Sequence, residues 1–579
     1  MRTNTRIRFG IYDITAKEDA TFSSSNIQEF SNLDALKAED GANPPLVGTL
    51  EEDYFLLDGS FEEFPDIPEN YDWGFFSKII SDNNGYSSKP VSWSLTIDFS
   101  LPHSSSGLTL IFGNDPEDYP KEMTIMWADE FDNLLSSKEV FPNSNQYFVK
   151  NKVENYRRVV LYFIRTKPNR FPKLKNIIFG EQKQLTGTDI ISAKTLEEIN
   201  STSSEIIINT LQCKIYNREA EFSPLNPKGI FSVLQERQPL VVEEIVDGNV
   251  IPMGTYYLDE WNNAEETNVD LTAIDLIGVI DKTNFIGGMF DEMAAGDLVD
   301  SIMLSAGVPY VMDESLRDIP VKGHLPICTH REALQQLGFA IGAIINTNRT
   351  NEIEIKPLTT KASSNILKSR KFSGGNIRLK GLVTGVDVGA KEYLPEEKPT
   401  ELFSQTLPAG IHNIVFDKPM HNVDVDGAHI VDFNANRVII EAQTGGVINI
   451  RGVPYVEVTQ TFSARTPNLA SNISPNIIST DGATLISSYN ASNIASSLYD
   501  YYQKRFENEF EMITATERVG QIVMIENLYN ETLRGIIESI ETNLTGGFIS
   551  KIKVVGMRIP VSSESYTGEI YAGERIGVI

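Results

Sequence analysis

Short runs of β-branched and aromatic residues, alternating with polar ones, recur along the whole chain and set what it can fold into. RIRFGIYDI opens the sequence, and WSLTIDF follows at 93–99. Later runs are RVVLYFI (158–164), EIIINTLQCKIYN (205–217), VDLTAIDLIGVI (269–280), RVIIEA (437–442), VINIRGV (447–453), QIVMI (521–525) and ISKIKVVGM (549–557). Period-two alternation of such residues puts one face toward a core and predicts strands. Asp247-Gly248, Asp426-Gly427, Gly445-Gly446 and Gly546-Gly547 punctuate the runs as turn signals. The Asp-Gly at 426–427 predicts a β-hairpin.

Helical periodicity is rare. It appears at 296–308, with Leu298, Ile302 and Leu304, and in THREALQQLGFAIGAII, with Leu334, Leu337, Ile341 and Ile344. It appears again at 493–506, with Ile494, Leu498, Tyr501 and Tyr502 on one face. The expected fold class is mainly β with a small α/β insertion. At 579 residues the chain divides into several cores. The texture changes near 180, 285, 360 and 480. That gives an opening strand with a β-sandwich (1–180), a β unit (181–285), a small α/β part (286–360), a β-rich part (361–480) and a helix with a last β unit (481–579). The Ser/Asn-rich stretch 466–493 reads as a loop.

The formal charge is −29, from 50 basic and 79 acidic residues. Such a surface repels phosphate backbones and anionic lipid, which argues against tight nucleic-acid binding. Two cysteines, Cys213 and Cys328, form no disulfide framework. The N-terminus lacks the apolar core of a signal peptide, and no run has the length of a membrane span. Synthesis in the cytoplasm is the expectation.

No HExxH, GxSxG, P-loop or GxGxxG is present. Cys328 and His330 lie close in sequence and raise the possibility of a thiol–imidazole site. Residues two apart at a helix entry do not face one another. Thr329 and Glu332 fit a capping box instead, with Ile327 as a hydrophobic staple and Cys328 as a small buried residue. Asn422, Asp424, Asp426 and Gly427 match the opening of a calcium loop, with His421 and His429 nearby. The twelfth position is Phe433 where Glu is required, so these are weak metal candidates and no cofactor is expected. The aromatic region 53–127, with Trp93 and Trp127, fits either a sugar-stacking platform or a core, and the core reading has the stronger prior.

The run KIYNREAEFSPLNPKGIFSVLQERQPLVVEEIVDGNVIPMGTYYLDEW (214–261) resembles baseplate hub proteins of phage tails and phage-tail-like bacteriocins, of the type found with Gram-positive hosts. The resemblance continues through 274–288, 296–310 and ICTHREALQQLGFAIGAII, fades over 360–480, and returns weakly at 518–556. Parts of 57–180 resemble a galactose-binding-like jelly-roll module. The resemblance implies two tail-tube-like β-barrels per chain, near 181–285 and 508–560, and a homotrimer. Six barrels in a ring then match a sixfold tube to a threefold tip. Implied partners are the tail tube or distal tail protein, the tip or spike protein and the tape-measure protein, with DNA passing through without specific binding. An acidic lumen is expected to favour that passage. The chain ends soon after the last barrel, and no appended peptidoglycan-cleaving domain is expected. A structural, non-enzymatic role leads. The alternatives are an adsorption protein that binds cell-wall carbohydrate through its N-terminal sandwich, and a wall hydrolase.

Overall fold

A computed structural model describes residues 3–37, 49, 51, 73–89, 93–113, 118–217, 220, 222–223, 237–265, 267–359, 361–372, 375–514, 516–526 and 532–559. The fold is mainly β, with few and short helices. No described helix is long and apolar enough to cross a membrane. The chain forms two compact units. One comprises 8–185 with 221–239; the other comprises 1–7, 186–220 and 240–579.

In the 8–185 unit, one antiparallel sheet runs in the order Thr21–Ser23, Trp93–Ile111, Gln146–Arg165, Glu122–Ala128, Leu134–Val140, with Asn176–Ile178 added on Trp93–Ile111. The two long strands pair nearly end to end, with register shifts between Asp98 and Gly107 that bend them. Alternate residues of 93–99 (Trp93, Leu95, Ile97, Phe99) turn inward and meet Met123, Ile125, Trp127 and Leu161. A buried Lys173 ties this core to the chain around it. Its Nζ lies 2.9 Å from both carboxylate oxygens of Glu51 and 3.3 Å from Asp118 Oδ1.

The other unit is built on one long antiparallel sheet. Strands follow in the order Pro239–Val246, Asn249–Glu265, Asn268–Ile274, Thr210–Tyr216, Ile190–Glu198, Thr532–Asn543, Ile549–Ile559, Phe506–Ile513 and Asn376–Leu379, and residues 3–7 lie beside 239–246. Asp247 and Gly248, both at positive φ (49° and 91°), make the turn between the first two. Ile522–Glu526 pairs with 532–543 on one side and, in parallel, with Ala362–Ile366 on the other. The last β unit therefore draws on 362–379 as well as on 506–559. Its core is Ile366, Phe510, Met512, Val523, Ile536, Ile540, Ile552 and Val554.

The α/β part packs helices Ala295–Ala306 and His330–Ile341 over a common core with the hairpin Ala343–Asn346 / Ile353–Pro357. Several local expectations need correction here. The run 269–280 is not one strand: it breaks at Asp275, whose carboxylate caps the short helix Leu276–Ile280. Ile344 does not extend the helical stripe. Gly342 takes a left-handed φ of 69° and ends the helix, so 343–346 become strand. Leu304 faces solvent, at 85% exposure.

Between 385 and 465 the chain makes a small two-sheet body. Thr400–Leu407 and Met420–Asp426 flank Gly446–Arg465 in one sheet, and Gly410–Val415, Arg437–Ala442 and His429–Asn434 form the other. Val438, Ile440, Ile448 and Ile450 fill the space between. The 466–493 stretch is not all loop, because Ile477–Thr480 pairs in parallel with Gly385–Pro395. Helix Ala491–Tyr502 follows, with Ile494 and Leu498 buried.

Candidate interface and its buried junction

The two β units of the long sheet meet at strand Ile190–Glu198. It pairs with 210–216 on one edge and with 532–543 on the other, setting Lys194 opposite Asn543 and Glu198 opposite Ser539. Both edges of this strand are used, so the two units are one continuous sheet. Ala193, Thr195, Glu197 and Ile199 turn to the buried side, while Lys194, Leu196 and Glu198 turn to the other.

That second face is laid out in rows of opposite charge. Lys194 Nζ sits 2.9 Å from Glu541 Oε1, Lys214 Nζ 3.7 Å from Asp270 Oδ1, and Lys553 Nζ 3.6 Å from Glu507 Oε2. Lys551 pairs with Glu509. Cross-strand pairs of this kind hold register more than they add stability. On this face each of these four lysines therefore sits beside a carboxylate.

On the buried side, charge is brought together from distant parts of the chain. Glu197 is 2% exposed and accepts a bond from Arg349 Nε at 2.7 Å; Arg349 is 6% exposed. Arg349 Nη1 reaches Met253 Sδ at 3.5 Å. Asp275 is fully buried. Its Oδ2 accepts from Asn209 Nδ2 at 2.9 Å and Thr347 Oγ1 at 3.0 Å, and its Oδ1 accepts the Gly278 N–H at 3.3 Å. Burial pushes this carboxyl up to about 7, against the bonds that favour its ionised form. Arg518 is pushed down to about 10, first by burial and then by neighbouring Arg349, with Glu197 and Glu517 opposing. Glu517 in turn accepts from Arg370 Nη1 at 2.7 Å. The junction thus joins strand 190–198, the end of strand 268–274, the α/β hairpin turn and the 517–518 segment.

Sequence patterns indicate little of this. Asp275 carries a signal, since Asp followed three residues later by a helical N–H donor is an N-cap pattern. Glu197 and Arg349 carry none, because they lie 152 residues apart.

The residues singled out from sequence lie elsewhere. Glu332 N–H donates to Thr329 Oγ1 at 3.1 Å, and Thr329 N–H donates to Glu332 Oε2 at 3.0 Å. Thr329 Oγ1 also donates to Asp281 Oδ1 at 2.9 Å. Ile327 does not act as the staple, being 38% exposed. Cys328, next to the cap, packs against the α/β core instead and is half-buried. Burial first, and then the Glu332 charge, push its thiol up to about 12. His330 is buried, with Nδ1 2.9 Å from Thr283 Oγ1 and Nε2 3.0 Å from Ser305 Oγ. Its ring nitrogens therefore serve two hydroxyls, and burial lowers its pKa.

Asn422, Asp424 and Asp426 are exposed at alternate positions of strand 420–426. A strand spreads i, i+2 side chains by about 7 Å, too far apart to wrap one ion. The Asp426-Gly427 turn makes no hairpin. Strand 420–426 pairs with 446–465 and strand 429–434 pairs with 437–442, so the chain crosses from one sheet to the other there. Gly427, at φ 94° with a Cβ position only 2.6 Å from the Val447 carbonyl oxygen, permits the crossing. His421 Nδ1 lies 3.0 Å from Tyr455 Oη, and His429 is exposed on the other sheet. Among the described residues no group of three His, Cys, Asp or Glu side chains is placed to hold a metal. Of the aromatic region, 53–72 lies outside the described residues. Trp73, Trp93 and Trp127 are buried at 3%, 1% and 0% exposure and offer no stacking surface.

No protein-family model matches the sequence, and no curated protein matches it. Solved structures do show similarity. The 43 kDa tail protein of prophage MuSo2 from Shewanella oneidensis matches at 12% identity and a TM-score of 0.39, over 64% of this chain and 95% of that one. Prophage tail protein gp18 from Listeria monocytogenes matches at 10% identity and a TM-score of 0.37, over 66% and 93%. A tail protein from Neisseria meningitidis matches at 8% identity and a TM-score of 0.39, over 65% and 93%.

Proposed function

We propose that the chain is a structural hub protein of a phage or phage-like tail baseplate, a homotrimeric adaptor between a sixfold tube and a threefold tip, with no enzymatic role. The observation that carries this reading is the seam. Strand 190–198 fuses two β units side by side within one chain, and three such chains supply the six units that a sixfold tube requires. The resemblance over 214–261, 274–288, 296–310 and 327–345, with its weaker return at 518–556, points the same way.

Two further features support it. The sheet ends on strand Asn376–Leu379, all four of whose residues are exposed, including Ile377 at 56% and Leu379 at 50%. An exposed apolar edge strand is an aggregation hazard unless another chain covers it. On the polar face, the lysines named above are already paired with acids, which leaves them poor at gripping phosphate. DNA then passes without specific binding. The tube or distal tail protein, the tip or spike protein and the tape-measure protein are the partners this reading implies, and the baseplate of the particle is its location.

Mass photometry of the purified protein, followed by electron cryomicroscopy with tube and tip proteins, tests the reading. A trimer with six β units in a ring is expected. A monomer at every concentration that joins neither partner overturns it, and clearing of cell walls in a zymogram overturns the non-enzymatic part.

A further inference from the structure

The hairpin turn at 347–350 is built against its own preference. The Thr350 N–H donates to the Thr347 carbonyl at 2.8 Å, and both central residues are left-handed, Asn348 at φ 46° and Arg349 at φ 64°. The turn lies within the longer 347–352 connection, and a β-turn with both central residues left-handed favours Asn and Gly there. Asn348 fits. Arg349 stands where glycine costs nothing and a long side chain is strained. The strain is offset by contacts the turn makes with three separate elements. Thr347 donates to Asp275 at the end of strand 268–274, Arg349 donates to Glu197 in the seam strand, and Asn351 accepts from the Tyr257 hydroxyl at 2.7 Å.

The contacts of Thr347 and Arg349 are polar and buried, and that of Asn351 is partly buried. Withdrawing Arg349 takes the hydrogen bond from Glu197 and leaves that buried carboxylate only the charge of nearby Arg518, a state less favourable than the closed pair. Losing one contact alone is therefore unfavourable, and releasing all of them together would also relax the strained backbone at Asn348 and Arg349.

We propose that the 347–351 turn is a conformational latch, with Arg349 as its bolt, that couples the α/β part to the seam strand 190–198. Closed, it makes the hairpin 343–357 and the seam open as one body. Released, the hairpin moves independently while the seam stays held by 210–216 and 532–543. The proposal concerns coupling within one chain and is independent of how many chains assemble.

Hydrogen–deuterium exchange on the full chain tests it. In the wild-type protein, amides of Ala343–Asn346, Ile353–Pro357 and Ile190–Glu198 are expected to exchange with matching protection. In Arg349→Gly, which relieves the turn but removes the bolt, the hairpin amides should exchange at least tenfold faster with the seam amides unchanged. Glu197→Ala should reproduce the hairpin effect from the opposite side, and Arg349→Lys should give a smaller one. A uniform loss of protection across the sheet, or no change at all, overturns the latch. Should Arg349→Gly fail to fold, the wild-type measurement still decides: hairpin and seam protection differing by more than tenfold overturns the coupling.

Discussion

Lys194 and Glu541 lie diagonally across the seam between the two β units, with Nζ 2.9 Å from Oε1, while the residues directly opposite them are Asn543 and Leu196. Both side chains are substantially exposed, so the pair marks the register without supplying much of its energy. Lys194→Ala is expected to cost no more than about 1 kcal/mol in urea unfolding. Leu196→Pro is different. Its strand is paired on both sides, and proline removes a ladder donor from a central strand. Loss of the soluble, cooperatively folding protein is the expected result.

The helix entry at 329 gives a second expectation. Thr329→Ala removes both the acceptor for the Glu332 N–H and the donor to Asp281. A loss of about 1–2 kcal/mol is expected, near the top of the range for a cap, with Thr329→Ser retaining most of it. Thermal melts of the three proteins check this.

The neighbouring thiol should be quiet. With its pKa pushed up to about 12, Cys328 is protonated at neutral pH and lacks the thiolate that reacts. Iodoacetamide at pH 7.5 should label it far more slowly than free cysteine, read by mass spectrometry of the intact native chain.

Asp275 sets a pH dependence. Its carboxyl is raised from 3.8 to about 7 by burial, so the folded state holds a proton that the unfolded chain has released. Stability from this group is full below about pH 4 and is lost as pH rises toward and through 7, on the order of 4 kcal/mol in all. Glu244, raised by burial to about 7, acts in the same direction. Urea midpoints should fall from pH 5 to pH 8, and Asp275→Asn, which keeps a capping oxygen, should flatten part of that slope. An unchanged slope in the variant would show that the dependence arises elsewhere.

The exposed edge strand offers the most direct handle on assembly. Ile377→Lys with Leu379→Lys places two charges on Asn376–Leu379, a common way to keep an edge strand from pairing. The protomer should keep its circular dichroism spectrum and melting temperature, while mass photometry shifts from oligomer to monomer.

The sequence by itself determined the local pieces: a mainly β chain, strands at 93–99, 158–164, 437–442 and 549–557, three longer helices and the Thr329–Glu332 cap. Each depends on side-chain period or on contacts within four residues, which a linear reading can see. Where a run continued past a local switch, periodicity misled. Asp275 turned the end of a strand run into a helix, and Gly342 turned the end of a helix run into a strand. Only the tertiary structure decided which strands pair. That 362–379 completes the last β unit, that strands 420–426 and 429–434 join different sheets, and that Glu197 meets Arg349 all depend on pairings across long stretches of chain. Burial of whole cores selects those pairings, and a residue's immediate neighbours carry no trace of them. The charged junction belongs to this second class, because a carboxylate and a guanidinium far apart in sequence become partners only once both have been taken out of water.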